Sequence, residues 1–357
     1  MLKKLLYLIS FFCFSAVTNA QQRDTIVYYF KYFEGFENER NTRRVSTIDS
    51  ADFIRMILPA DTGDTRLNVH EYYPNGITKL IGKAYSNDEF SLKFDKMSFS
   101  DDVIDFYPDG KRKAITQYAD GHKNGFEYTY YHNGKLFTRV KHQYEVRSYT
   151  AKRFMLDCYD TNGTLICENG KGRWIIYDDE IQRKLLEGAV VNGLPEGIWK
   201  GETGTTKEDS VVYTYKYKNG KFIGGEGFDR SGVAYPFERE TTMASYKWGL
   251  FTFVDMIKRK ANGLKNAEGK KISLKDVKVT FIVEKNGDIS HPEVLGDLDG
   301  TAKKKIEAVL LSLNPAKWLP SRYFGIPVKT KMIVPFSYSN LNNNSKQVSF
   351  GEMIVEL

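Results

Sequence analysis

The sequence predicts a mainly β chain: a repeat array of antiparallel hairpins followed by a small α+β domain in the order α-β-β-α-β. Asn-Gly and Asp-Gly dipeptides recur between aromatic-rich stretches through the first two-thirds of the chain, and such dipeptides between alternating apolar residues signal hairpins. The last third changes character, with a helical apolar stripe on either side of strand-like alternation. Pro is scarce, ten in 357 residues, as expected where backbone N–H groups join ladders.

Residues 1–20 have the form of a secretory signal peptide. Lys3 and Lys4 open it, Leu5 to Ala16 is almost unbroken apolar sequence, and Thr18-Asn19-Ala20 offers small residues for cleavage. The rival reading is a retained membrane anchor, but a bilayer takes about twenty apolar residues. Cys13 as a lipid-modified start is disfavoured by the bulky Phe11 and Phe12 before it. The expected location is therefore exported, periplasmic or associated with the outer envelope.

Residues 21–70 read as the opening edge of the sheet. Thr25 to Phe33 looks like a strand, Asn38 to Arg44 like a polar loop, and Ser50 to Leu58 like a strand or short helix.

Residues 71–237 repeat a loose unit. One half places an aromatic before a turn: Tyr73-Pro74-Asn75-Gly76, Tyr107-Pro108-Asp109-Gly110, Tyr131-His132-Asn133-Gly134, Tyr159 through Asn162-Gly163, and Tyr217-Lys218-Asn219-Gly220. The other half pairs glycines before an aromatic, as in Gly121 to Gly125-Phe126 and Gly193 to Gly197-Ile198-Trp199, with a shortened form at Gly170-Lys171-Gly172-Arg173-Trp174. Asn-Gly and Asp-Gly accept the positive φ that two-residue hairpin loops require. One hairpin cannot bury its own apolar face, so each unit needs neighbours. From about Tyr72 to Phe237 the units resemble MORN-type repeats, in the variant found in antitoxin-like proteins. That resemblance implies an elongated stack of hairpins serving as a scaffold or interaction surface, and no reaction.

Cys158 and Cys167 flank Asn162-Gly163. A two-residue loop there sets them opposite one another at a non-hydrogen-bonded pair, where side chains approach closely. In an oxidising compartment this predicts a disulfide; a loop of another length would leave two unpaired thiols. Two thiols with no nearby His pair fall short of a zinc ligand set, and no metal is expected.

After a linker at 238–245, residues 246–340 form the second module. Tyr246 to Ala261 suits an amphipathic helix with Lys258-Arg259-Lys260 in its last turn, and Gly263 marks its stop. Val277 to Val283 alternates as a strand, Asn286-Gly287 turns, and Asp288 to Leu295 returns. Asp297 and Asp299 offer caps for a helix carrying Ile306, Val309, Leu310 and Leu313, which Pro315 ends. Val328, Thr330, Met332, Val334, Phe336 and Tyr338 line a long last strand. The tail, 341–357, is polar at first, and Phe350 to Leu357 reads either as an added strand or as free chain.

This module resembles the C-terminal domain of TonB-type proteins over roughly 245–340. The likeness rests on Glu284-Lys285-Asn286-Gly287-Asp288, Trp318-Leu319-Pro320, Gly325-Ile326-Pro327-Val328 and Val334-Pro335-Phe336 in order and spacing. It implies that the last strand, Val328 to Tyr338, offers an open edge whose N–H and C=O groups can pair with an extended peptide. Energy transducers of that family keep a membrane helix and a Pro-rich spacer, which this sequence lacks.

Little points to catalysis. His70, His122, His132, His142 and His291 show no metalloprotease spacing, and no nucleophile elbow, phosphate loop or dinucleotide fingerprint is present. His122, His132 and His142 read as surface residues recurring with the hairpins. Asp101-Asp102 and Asp178-Asp179 read as turn or loop acids, since neighbours on a strand point to opposite faces. Net charge is +7, and residues 245–340 hold seventeen Lys or Arg against nine Asp or Glu. This surplus suits an anionic partner, or a solvated basic face.

The reading is an exported, non-catalytic adaptor without cofactor or nucleic-acid ligand. Its expected partner is an outer-membrane or envelope protein segment, or an anionic envelope polymer such as peptidoglycan. The alternatives are a component of a TonB-type energy-transducing transport system and an envelope-polymer hydrolase.

Overall fold

The computed structural model describes residues 25–34, 40–85, 97–204, 210–274, 277–314, 317–336 and 350–354. The expected signal segment, with Cys13, lies outside them, as do Pro315 and Tyr338. The chain is mainly β, with two α-helices among the described residues, and divides into two compact units, Met1–Gly170 and Lys171–Leu357.

The first unit is an antiparallel meander of β1 (Ile26–Glu34), β2 (Arg40–Val45), β3 (Phe53–Leu58), β4 (Leu67–Tyr72), β5 (Thr78–Tyr85), β6 (Ser98–Phe106), β7 (Arg112–Ala119), β8 (His122–Tyr130), β9 (Leu136–Glu145), β10 (Thr150–Tyr159) and β11 (Leu165–Glu168). β1 lies between β2 and β3, and from β3 onward each strand pairs with the next. Period-two burial along β3 and β4 sends Ile57, Leu67 and Val69 into a core shared with Leu80, Ala84 and Val103. The polar stretch expected as a loop, Asn38 to Arg44, mostly forms β2. Its charges hid the strand; a basic strand paired only with β1 among the described residues resists further pairing, and Arg44 lies 4.3 Å over the Tyr28 ring.

Four of the five aromatic-turn motifs do not make the two-residue loop expected of them; Tyr217-Lys218-Asn219-Gly220 does, with Lys218 paired with Lys221 around Asn219-Gly220, both at positive φ. Gly76 N–H donates to Tyr73 O (2.9 Å) and Tyr73 N–H to Ile77 O (2.8 Å), so the loop has three residues, Pro74-Asn75-Gly76. The same bonds recur at Tyr107, Tyr131 and Asp160. Each loop is a type I turn closed by a glycine at positive φ, +88° at Gly163. The longer loop is followed by a bulge that takes up one residue: Tyr159 pairs with Leu165, but Cys158 pairs with Cys167. Two-residue loops also occur in the other half-unit. Val191 pairs with Leu194 around Asn192-Gly193, both at positive φ. The second glycine of that motif, Gly197, has φ +71° where the β-ladder register shifts.

The turn tyrosines tie successive hairpins. Tyr73 Oη donates to Phe106 O (2.9 Å), Tyr107 Oη to Tyr130 O (2.7 Å) and Tyr131 Oη to Tyr159 O (2.8 Å). Each acceptor immediately precedes the next unit's turn residue. The ladder stops at Asp160, which stands where the tyrosine would.

The second unit opens with another meander: β12 (Lys171–Tyr177), β13 (Lys184–Val191), β14 (Leu194–Glu202), β15 (Val212–Lys218), β16 (Lys221–Phe228) and β17 (Ala234–Phe237). Here glycine makes room for rings across strands. A Cβ on Gly188 would lie 2.2 Å from the buried Trp199 ring, and one on Gly225 would lie 2.4 Å from Phe237.

The expected linker, 238–245, is not free chain. It carries β18 (Thr241–Thr242) and the start of β19 (Ser245–Tyr246). There follow α1 (Leu250–Ala261), β20 (Lys278–Val283), β21 (Ile289–Leu295), α2 (Gly300–Leu311), β22 (Trp318–Leu319), β23 (Ser321–Tyr323), β24 (Ile326–Pro335) and β25 (Phe350–Ile354). β18 pairs with β23 and β19 with β22. Helix α1 starts later than expected because Tyr246 is a strand residue opposite Trp318 and Gly249 turns the chain at φ +86°. Its Phe253, Val254 and Ile257 pack with Ile306 and Leu310 of α2 and with Val279 and Phe281 of β20. Asp299 caps α2, accepting from Thr301 N and Ala302 N (both 2.9 Å).

The β23–β24 hairpin fastens this part to the meander. Its two-residue turn, Phe324-Gly325, stacks the Phe324 ring on Tyr213 (4.2 Å) and sets it 5.5 Å from Phe237. Phe324 N–H donates to Glu240 O (2.6 Å). Gly227 lies so close beneath that a Cβ there would meet Phe324 O at 2.1 Å.

Tyr107 is fully buried, and Tyr107→Phe leaves the Tyr130 carbonyl without that donor. The expected loss is about 1 kcal/mol, read from the denaturant midpoint at unchanged m-value. A neutral result would remove the ladder as a stabilising element.

Candidate strand-binding edge

The expected open strand is flanked on both sides. On one side β24 pairs with β20, from Val283↔Thr330 to Lys278↔Pro335. On the other it pairs first with β23, Ser321↔Val328 to Tyr323↔Ile326, and then with β25, Lys329↔Ile354 to Ile333↔Phe350. The open-edge reading is therefore corrected for Val328, Thr330 and Met332, while Val334 and Phe336 lie beyond the stretch paired with β23 and β25. The chain's own segment Phe350–Ile354 takes the backbone groups that a peptide was expected to take.

The side chains at these positions point inward. Val328, Thr330, Met332, Val334 and Phe336 are all buried, the last three within the core formed with α1 and α2. Thr330 Oγ1 donates to Ser321 Oγ (2.5 Å), which also accepts from Ala244 N–H (2.7 Å), so three segments share one buried polar node. Lys329, Lys331 and Ile333 occupy the other face. Their register partners in β25 are Ile354, Glu352 and Phe350. Lys329 Nζ also lies 3.9 Å from Glu284.

Cys158 and Cys167 face each other as register predicts, but both are buried thiols with no disulfide between them. Cys167 Sγ is directed at Leu156 O (3.5 Å). Burial, with Asp157 nearby, pushes the Cys167 thiol up to about 11.

The histidines have separate contacts. His122 stacks on Tyr144 (3.6 Å) and His132 on Tyr107 (3.8 Å). His142 Nε2 lies 3.4 Å from Glu127 Oε2. No group of three or more His, Cys, Asp or Glu side chains that could hold a metal occurs among the described residues. Asp178 belongs to a turn, accepting from Gln182 N–H (2.8 Å). Asp101 and Asp102 instead lie within β6, with Asp101 at φ +63° and paired with Arg66.

Sequence reasoning missed two charged clusters in the first unit, because their members come from different strands. Glu71 is buried between Arg55 (Nε–Oε1 2.8 Å) and Lys79. Burial pushes its carboxyl up, but the two cations outweigh burial and leave it below the ordinary range. Arg55 also lies over the Phe30 ring (4.9 Å). Such a group holds the sheet together provided that every member stays. In the second cluster, burial raises the Glu127 carboxyl, but His142 and Lys123 overcome it and hold the group at about 2. Neither cluster surrounds a cleft, and each carboxylate is matched by cations.

A scan against protein-family models finds no match for this chain, and no curated protein is significantly similar to it.

Two outcomes test these assignments. Native protein should react slowly with a thiol reagent at Cys158 and Cys167, and unfolding should expose both; rapid native labelling of either would contradict their burial. Glu127 has a folded value below its unfolded one, so its stabilising effect is complete above about 4.5 and is lost as pH falls toward about 2. Glu127→Gln should flatten the stability-against-pH curve within that window and leave its shape above pH 5 unchanged. An unaltered acid limb would remove the cluster as its cause.

Proposed function

We propose that this chain is an exported, non-catalytic binding protein that accepts an extended peptide segment on β24, in the place its own β25 occupies. One observation carries the reading. β24 already holds an antiparallel strand along Lys329–Ile333, joined by five register pairs and supplied by the next strand of the same chain. Strand addition draws affinity from main-chain bonds and specificity from alternate side-chain positions. The β24 positions Lys329, Lys331 and Ile333 then favour an acidic residue flanked by apolar ones. The resemblance of residues 245–340 to TonB C-terminal domains supports the same mode, with an envelope protein segment as ligand. Under this proposal the hairpin array is the scaffold that presents the strand-binding module.

The test removes the occupant. A chain shortened after Asn340 should bind a labelled peptide of the sequence Val348–Leu357 in trans. The full-length chain should bind it at least about tenfold more weakly, because the tethered copy competes. A peptide with Glu352→Lys should lose affinity. If the shortened chain stays folded by circular dichroism yet binds the tail peptide no better than the full-length chain does, β24 is not an exchangeable site and the proposal falls.

A further inference from the structure

Where β19 pairs with β22 and turns into α1, the second unit exposes several large apolar side chains. Ser245 pairs with Leu319 on the outer face and Tyr246 with Trp318 on the inner face. The inner pair is buried with Phe253 and Phe281. Met243, two residues before Ser245, and Leu319 are exposed, as are Trp248 in the turn, whose ring meets Tyr246 edge-on (5.5 Å), and Phe251 in the first turn of α1. Two lysines accompany them. Lys247 N–H donates to Lys317 O (3.1 Å), which holds the two residues side by side across the strands, and Lys247 Nζ lies 5.6 Å from the Trp248 ring centre.

Apolar and aromatic side chains beside lysines, held on a folded rim, form the chemistry of an interfacial membrane contact. Rings and aliphatic groups enter the headgroup boundary while ammonium groups meet lipid phosphates. Asp255, one turn further along α1, is the nearby acid on the same helix. Lys258 and Arg259 follow it, so positive charge prevails beyond the patch as well. A second copy of the same patch is a poorer occupant, because face-to-face association would bring Lys247 and Lys317 against their counterparts. We propose that Met243, Trp248, Phe251 and Leu319, with Lys247 and Lys317, form a docking surface for an anionic lipid bilayer. This inference is independent of strand exchange at β24.

The molecule carries its own reporter. Trp248 is 54 % exposed, whereas Trp174, Trp199 and Trp318 are 1 %, 1 % and 4 % exposed. Full-length protein is mixed with vesicles of phosphatidylcholine alone or of phosphatidylcholine with phosphatidylglycerol, and followed by co-sedimentation and tryptophan emission. The expected result is binding to the anionic vesicles, a blue shift, and protection of Trp248 from a soluble quencher. The shift should vanish in Trp248→Ser. Phe251→Ser with Leu319→Ser should lower partitioning by about tenfold or more, and Lys247→Glu with Lys317→Glu should abolish the preference for anionic lipid, both at an unchanged thermal midpoint. The proposal is overturned if Trp248 emission is unmoved by anionic vesicles, if both double variants bind as the parent does, or if the patch variants change only self-association in sedimentation velocity.

Discussion

Both long sides of β24 must find partners, and most of the C-terminal architecture follows from how they do. A strand whose alternate residues fill a core cannot be slipped by one position without turning Met332 and Val334 to solvent. With the register fixed, the β20 ladder holds one side and β23 with β25 covers the other. The same strand begins at the turn that carries Phe324 into the rings of Tyr213 and Phe237. One element thus sets the core between the helices, the attachment to the preceding meander and the ladder that Phe350–Ile354 joins. The buried node of Thr330, Ser321 and the Ala244 amide locks that arrangement, since removing the Ser321 hydroxyl strands two donors in a dry interior.

In the meanders the comparable constraint is the pairing of a loop with a bulge. A three-residue loop alone would shift every pair beyond it by one residue; the bulge beside the turn takes up that residue and restores the register. Tyrosine at the position just before the loop then bridges to the next hairpin, which is why the aromatic precedes the turn in the repeated motif. Glycine serves the second half of the motif in two ways. At Gly193 and Gly197 it permits positive φ at a turn and at a register shift. At Gly188 it leaves the space into which Trp199 lies.

Much of this was legible in the sequence because it is local. Strand alternation, the Asp299 cap, the stop before Gly263 and the opposition of Cys158 and Cys167 all depend on residues within one turn or one hairpin. The cysteine register was right although the loop was read as one residue too short, because the bulge compensates. What was missed depends on distant partners. The two-residue strands β18 and β19 are too short to show a period, and a basic strand such as β2 shows polarity in place of alternation. The Arg55–Glu71–Lys79 and Glu127–His142–Lys123 clusters draw on several strands each, so no window of sequence contains the whole arrangement. The closed side of β24 is of the same kind: Phe350 to Ile354 reads locally as strand or tail, and only tertiary pairing decides between them.

A covered strand and a binding strand are compatible under one condition. An uncovered edge invites unwanted pairing with other chains, so a tethered occupant protects the protein while no ligand is present. The connection 337–349 keeps that occupant close, at an effective concentration on the order of millimolar for a short tether. Under the proposed function, an incoming peptide sees only the fraction of molecules whose edge is vacant, and its apparent dissociation constant is its intrinsic one divided by that fraction. Weak extended segments, which are abundant in unfolded chains, are then excluded by competition and not by shape. A true partner must exceed the tail through better side-chain complementarity at Lys329, Lys331 and Ile333, or must itself be held nearby. The charge at Lys331 makes the first route selective: a segment that places an acid there gains what Glu352 supplies by register, whereas one that places a base there meets repulsion that the tail does not. Selectivity on this strand is therefore a difference between two pairings of the same backbone, measured against a standard that the protein carries in its own sequence.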